Sequence, residues 1–154
     1  MVSKSQRIDF VGADKVAMLF SGCCLVHCLG WPFLIAALPS LVSTESGMLH
    51  QALGAFSILI SLVVLGVAFD CHGNHRVIAV GIAGMSLLAV NAAMPGEYCS
   101  AVNAYIAGNI TLTEVSLTNW LTFLLAPLGA GLLIIAHFDN RRLLANSSPR
   151  RKKR

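Results

Sequence analysis

Four long apolar stretches separated by short polar ones organise the chain: Val16–Leu38, Leu49–Phe69, Val77–Met94 and Leu117–Phe138. Each comes close to the ~20 residues that cross a ~30 Å hydrocarbon core at ~1.5 Å per residue, the third near the short limit. Lipid cannot satisfy backbone N–H and C=O groups, so runs of this length must be helical. The predicted fold is an all-α integral membrane bundle of four transmembrane helices. One transmembrane domain, 16–138, with spans at 16–38, 49–69, 77–94 and 117–138, lies between an N-terminal segment, 1–15, and a basic tail, 139–154. The first stretch is longer than the roughly 7–15 residues of a signal-peptide core, so it is expected to stay in the mature chain.

Short connections between the first three helices predict antiparallel neighbours in a compact bundle, closed or homo-oligomeric. Gly54, Gly81, Gly84, Gly129 and Gly131 are candidates for close backbone approach at its seams. The longer Pro95–Ser116 connection is mildly apolar over Ala101–Ile110; a short helix or a segment lying on the membrane surface both fit it.

Composition agrees with a membrane protein: 56% of the residues are hydrophobic and 12% charged, where soluble domains carry about a quarter charged. All eleven Lys and Arg fall on one side of the predicted bundle. Lys4, Arg7 and Lys15 precede the first helix, Arg76 lies between the second and third, and the rest follow the fourth. The other two connections hold Glu45, Glu97 and Glu114 and no base. The positive-inside rule therefore predicts both termini in the cytoplasm (N-in/C-in) of a multi-pass protein of the cell inner membrane. The net charge of +4 sits mostly in the last fourteen residues, where it reads as a topology anchor touching anionic lipid headgroups. Without a nucleic-acid motif it points to no nucleic-acid partner.

Three of the five cysteines crowd into Cys23, Cys24 and Cys28, which does not suit a disulfide framework. At ~100° per residue these thiols and His27 fall within an arc of about 140°, with Cys24 and Cys28 an i,i+4 pair. They lie roughly 10–18 Å along the helix, inside the hydrocarbon. An imidazole at that depth is costly without a partner and is a functional candidate by default. Neutral thiols cost little there, and two that bind a divalent soft cation lose two protons and leave a complex without net charge. Pro32 cannot donate to the carbonyl of Cys28, which predicts a helix kink at the thiol turn.

Helices two to four offer no Cys, Asp, Glu or His in their predicted interiors, so a tetrahedral zinc site is hard to complete. A two-thiolate site selects thiophilic ions such as Hg(II) or Cu(I). The candidate metal residues are thus Cys23, Cys24, His27 and Cys28, with Cys24 and Cys28 the best-spaced pair. His72, His75 and His137, with Asp70 or Asp139, are candidates for a cytoplasmic relay, although histidines are also ordinary helix-end residues. Cys99 ranks below the others as a first contact. A membrane thiol–disulfide oxidoreductase is the enzymatic alternative. It would want Cys-x-x-Cys and a second relay pair, whereas the sequence has Cys-Cys-x3-Cys and a solitary Cys99. The expectation is a transporter with no catalytic residues and no permanently bound cofactor. Its partners would be the lipid bilayer, a transported soft ion, and a periplasmic carrier or cytoplasmic thiol acceptor.

The pattern Asp14-x6-Ser21-x2-Cys24-x2-His27-Cys28-x3-Pro32, with Pro39 closing the helix and His137-x2-Asn140-x-Arg142 near the end, resembles the MerC mercuric-ion transporter family. The likeness covers roughly Asp14 to Arg142, and the first-helix motif is its specific part. It implies a membrane protein that moves mercuric ion across the inner membrane, with Hg(II) as the favoured cargo and transport, binding or sensing of another thiophilic or borderline metal (Cu, Zn) as the alternative. Cys23 beside Cys24 resembles the vicinal pair that mercury transporters carry in their first helix.

Overall fold

The computed structural model describes residues 4–38, 47–94 and 97–146. Residues 39–46 of the predicted Pro39–Met48 connection and the last eight basic-tail residues lie outside them. The elements are α1 (Lys4–Ala37), α2 (Gly47–His72), α3 (His75–Ala93), α4 (Glu97–Ile106), a 3-10 turn (Leu112–Glu114) and α5 (Leu117–Asn146). Four of the helices, all but α4, are long and apolar enough to cross a membrane.

The inward faces follow a spacing of alternating three and four. On α1 the buried positions are Asp14, Ala17, Ser21, Cys24 and Cys28; on α2 they are Gly54, Ser57, Ser61, Val64 and Ala68. A repeat of ~3.5 is the signature of helices packed side by side along their length. Thus α1, α2, α3 and α5 form a bundle in which α5 touches each of the other three. The remaining apolar side chains, such as Leu19, Val26, Phe33, Leu59 and Leu121, point outward, as lipid-facing residues must.

Two of the predicted glycine seams are real contacts. A Cβ on Gly84 would stand 2.9 Å from the Gly129 carbonyl oxygen, and one on Gly129 equally close to the Gly84 oxygen, so α3 and α5 meet backbone to backbone. Gly81 makes room for Leu65, while Gly54 and Gly131 have open space where a Cβ would lie. The α2–α3 turn needs only Gly73, at φ +62°, and Asn74, whose side chain caps α3 by accepting from the N–H groups of Arg76 and Val77.

The first and last helices run past the expected spans. Residues from Lys4 to Lys15 form the first turns of α1, and the start of the basic tail forms the last two turns of α5. The cause at the second site is amphipathic continuation. Leu144 is buried, Arg142 stacks on the Phe138 ring at 4.2 Å, and Arg141 reaches Met18. His137, expected at a helix end, therefore sits well inside α5 with 0% exposure. Pro32 and a second proline, Pro127, both lie within continuous helices and are buried. The long connection does contain a short helix, α4, packed on α5 and α1, with Val102 buried and Tyr105 edge-on to Trp120.

Candidate functional site

The four donors of α1 fall into two i,i+4 pairs on different faces. Cys24 (1% exposed) and Cys28 (8%) point into the bundle, their sulfurs 3.9 Å apart. They pack among Leu88 of α3 and Ala126, Ala130 and Leu133 of α5. One residue earlier in each case, Cys23 and His27 line an outward groove with Gly22, Val26, Trp31 and Leu53. Cys23 is exposed, and the imidazole of His27 stacks on Trp31 at 5.3 Å between ring centres. The sequence arc is thus split by the helix–helix contact, because ~100° of rotation is enough to carry a side chain from core to lipid. Among the described residues, no three of His, Cys, Asp and Glu come together around one point that could hold a metal ion.

About 15 Å along α1 from Cys24, at ~1.5 Å per residue, lies a second polar group. Asp14 is fully buried and meets α5 twice: Oδ1 is 2.8 Å from His137 Nδ1, and Asn140 Nδ2 donates to Oδ2 at 2.7 Å. His137 Nε2 lies 2.9 Å from the Ser61 hydroxyl of α2, and His72 Nε2 lies 2.8 Å from Asn140 Oδ1.

One donor fixes most of the proton positions. The backbone N–H of Asn74 donates to His72 Nδ1 at 2.9 Å, so His72 carries its proton on Nε2 and gives it to Asn140 Oδ1. The Asn140 amide then faces Asp14 as a donor, and the carboxylate accepts from it and from His137 Nδ1–H. That leaves Nε2 of His137 facing the Ser61 hydroxyl. Each of these buried polar groups is satisfied, as burial requires.

This arrangement places the predicted relay residues. His72 and His137 share one network through Asn140 and Asp14, with all four of their ring nitrogens engaged. His75 is exposed at the start of α3 with its ring near Phe69. Asp70 and Asp139 are exposed, and the acid that meets His137 is Asp14. Cys99 sits half-buried on α4. Ser61 was missed, and Asp14 and Asn140 entered only as motif letters. Their signal was available in spacing, since Asp14 falls on the same three-four stripe as Cys24 and Cys28, and a carboxylate on the buried stripe of a membrane helix demands a partner.

The family model of the MerC mercury resistance protein matches residues 14–142. The chain belongs to the MerC family. That match begins at Asp14 and ends two residues past Asn140, so it encloses the thiol turn and the whole buried network. No curated protein and no solved structure matches this MerC-family chain. Membership together with four apolar helices of spanning length makes it a multi-pass membrane protein linked to mercury resistance.

Proposed function

We propose that the protein is a transporter or uptake facilitator that passes mercuric ion across the cell inner membrane by thiol ligand exchange, with both termini in the cytoplasm. The observation that carries this reading is the buried Cys24–Cys28 pair, two thiols 3.9 Å apart in an apolar shell, in a chain of the MerC family. Two thiolates neutralise a divalent ion, so the ion crosses the low-dielectric centre as an uncharged complex and avoids most of the Born cost.

A linear two-coordinate ion holds its sulfurs about two metal–sulfur bonds apart, ~4.6 Å if Zn–S lengths are a guide. The pair needs to open by less than an ångström, within reach of a small rotation about each Cα–Cβ bond. Cys23 and His27, a residue away on the groove face, serve as the pair from which an ion is handed inward. His72 and His137 receive no ligand role, because their nitrogens are spent on hydrogen bonds that hold three helices together. Transport runs down a gradient or is pulled by thiols on the receiving side.

The test is uptake of labelled Hg(II), with Zn(II) and Cu(I) in parallel, into cells expressing the parent protein or its Cys24→Ser/Cys28→Ser form. Mercury uptake that disappears in the variant is expected. Uptake of another metal by the same thiols would redirect the assignment to that metal, and equal mercury uptake by both forms would end it.

A further inference from the structure

Cys23 and His27 are one helical turn apart on α1, and Trp31 follows one turn later, so the three make a single outward row along the groove. A side chain on a helix leans toward the N-terminus, over the turn that precedes its own Cα. The indole of Trp31 accordingly lies against the His27 imidazole, with ring centres 5.3 Å apart and ring planes 27° from parallel. We propose that Trp31 is a positioning residue for mercury exchange: its ring face holds the His27 imidazole in one plane, so that an ion taken by Cys23 finds a ring nitrogen already in place. The inference rests on Cys23 and His27 being the pair that hands the ion inward.

Three observations support it. The first is the geometry of an imidazole ligand. It binds a metal through a nitrogen lone pair lying in the ring plane, so the orientation of the ring decides where the ion can sit. The last torsion of a histidine side chain is broad when nothing restrains it. Stacking on Trp31 covers one face of the ring, leaves its edge open and confines that torsion.

The second is the indole N–H. Trp31 Nε1 is buried and has no protein partner, although a buried indole N–H usually finds one. An aliphatic side chain would fill the same space without stranding a donor. Being buried, the N–H does not reach an ion in the groove either. What an indole supplies at this position is the breadth of its ring face.

The third is room. Gly22 and Gly30 lie along the same groove, and each has nothing within 4 Å of where a Cβ would stand. A mercuric ion that still carries one ligand, such as chloride, can therefore lie against Cys23 and the imidazole edge without displacing a side chain from that wall. Trp31 takes no part in the exchange itself: no bond to it forms or breaks. Its effect is on the fraction of time the imidazole is in place while Cys23 holds the ion, and so on how firmly the ion is held.

The experiment is isotope-edited nitrogen NMR of the histidine side chains in the full chain, in lipid nanodiscs, with Cys24→Ser/Cys28→Ser to keep the ion in the groove. Mercuric chloride is added and then withdrawn with glutathione as a competing thiol, and His27→Ala assigns the His27 signal. In the parent of this series the His27 ring nitrogens are expected to shift when the ion binds. Trp31→Leu should lose the shifted signal at about three- to tenfold less glutathione, the weight of one aromatic pair. Trp31→Phe, which keeps a ring face, should stay within about twofold of the parent. Trp31→Met, also without a ring, takes the place of Trp31→Leu if that form fails to fold. Equal retention by the ringless form and the parent would overturn the inference, as would a loss in Trp31→Phe as large as in Trp31→Leu; either result leaves the exchange pair standing. His27 nitrogens that ignore the ion in the parent would remove the exchange pair, and the role of Trp31 with it.

Discussion

Two buried polar groups share the inward face of α1 and are held in opposite ways. Cys24 and Cys28 have each other and an apolar shell. Asp14 is gripped by His137 and Asn140 of α5, which are in turn bonded to Ser61 and His72 of α2. The difference follows from the cost of burial. A neutral thiol is a small hydrophobe that can wait without a strong partner and so stays available to an ion. A carboxylate cannot wait; left unpaired in hydrocarbon it would be neutralised or expelled. One end of the helix is therefore suited to chemistry and the other to tying α1, α2 and α5 together.

The sharpest way to break this contrast is Asp14→Ala. It strands the His137 N–H and one Asn140 amide proton, and each buried donor left unsatisfied costs about 1–3 kcal/mol. Unfolding in mixed micelles on titration with sodium dodecyl sulfate measures it; a cost under about 1 kcal/mol would deny the network its structural role. Next comes Gly84→Ala, which asks whether α5 is held by this network or by the glycine seam. Its new methyl would press on the Gly129 carbonyl oxygen and on Leu133, and overpacking of this kind costs about 1–3 kcal/mol. Gly131→Ala, with open space around it, is the matched control and should be close to neutral.

The reverse side of the contrast predicts a smaller effect. Cys24→Ala/Cys28→Ala removes two sulfurs from a packed shell, about 0.5–1.5 kcal/mol each, as for deletion of one methylene-sized group. The variant should unfold close to the parent in the same titration yet fail to take up mercury. A loss as large as that of Asp14→Ala would mean that the thiols, too, are structural.

Four spans, their helical nature and the thiol turn were legible in the sequence because each is a local property. Runs of apolar residues and an i,i+4 pair can be read without knowing any neighbour. The division of Cys23 and His27 from Cys24 and Cys28 was not, since it depends on which ~100° of α1 faces α5. Nor was the role of His137. It looked like a helix-end residue because the apolar run stops at Phe138, whereas the helix continues on an amphipathic face through Leu144. Its partner Asp14 is 123 residues away in the chain. A charged residue on the inward stripe announces that a partner exists, but only the packing of α1 on α5 names it.

The smallest expected effect isolates burial from hydrogen bonding. Glu114 accepts two hydrogen bonds, as Asp14 does: Oε2 takes the Thr111 backbone N–H at 2.7 Å and the Thr111 hydroxyl at 2.8 Å. It does so in full exposure, in the turn ahead of α5. Those two donors hold its carboxyl below the ordinary glutamate value of 4.5. The sign follows from linkage: a depressed folded value means that the contribution is complete above that ordinary value and is lost as pH falls through the lowered one. Because water competes for the same oxygens, the loss should be confined to the turn. Protection of the Thr111 amide, measured against its intrinsic exchange rate at each pH, is expected to fall on acidification or in Glu114→Gln, with the unfolding midpoint of the bundle unmoved. If Glu114→Gln lowered that midpoint as much as Asp14→Ala does, the number of hydrogen bonds, and not the burial of the charge, would govern how this protein is held together.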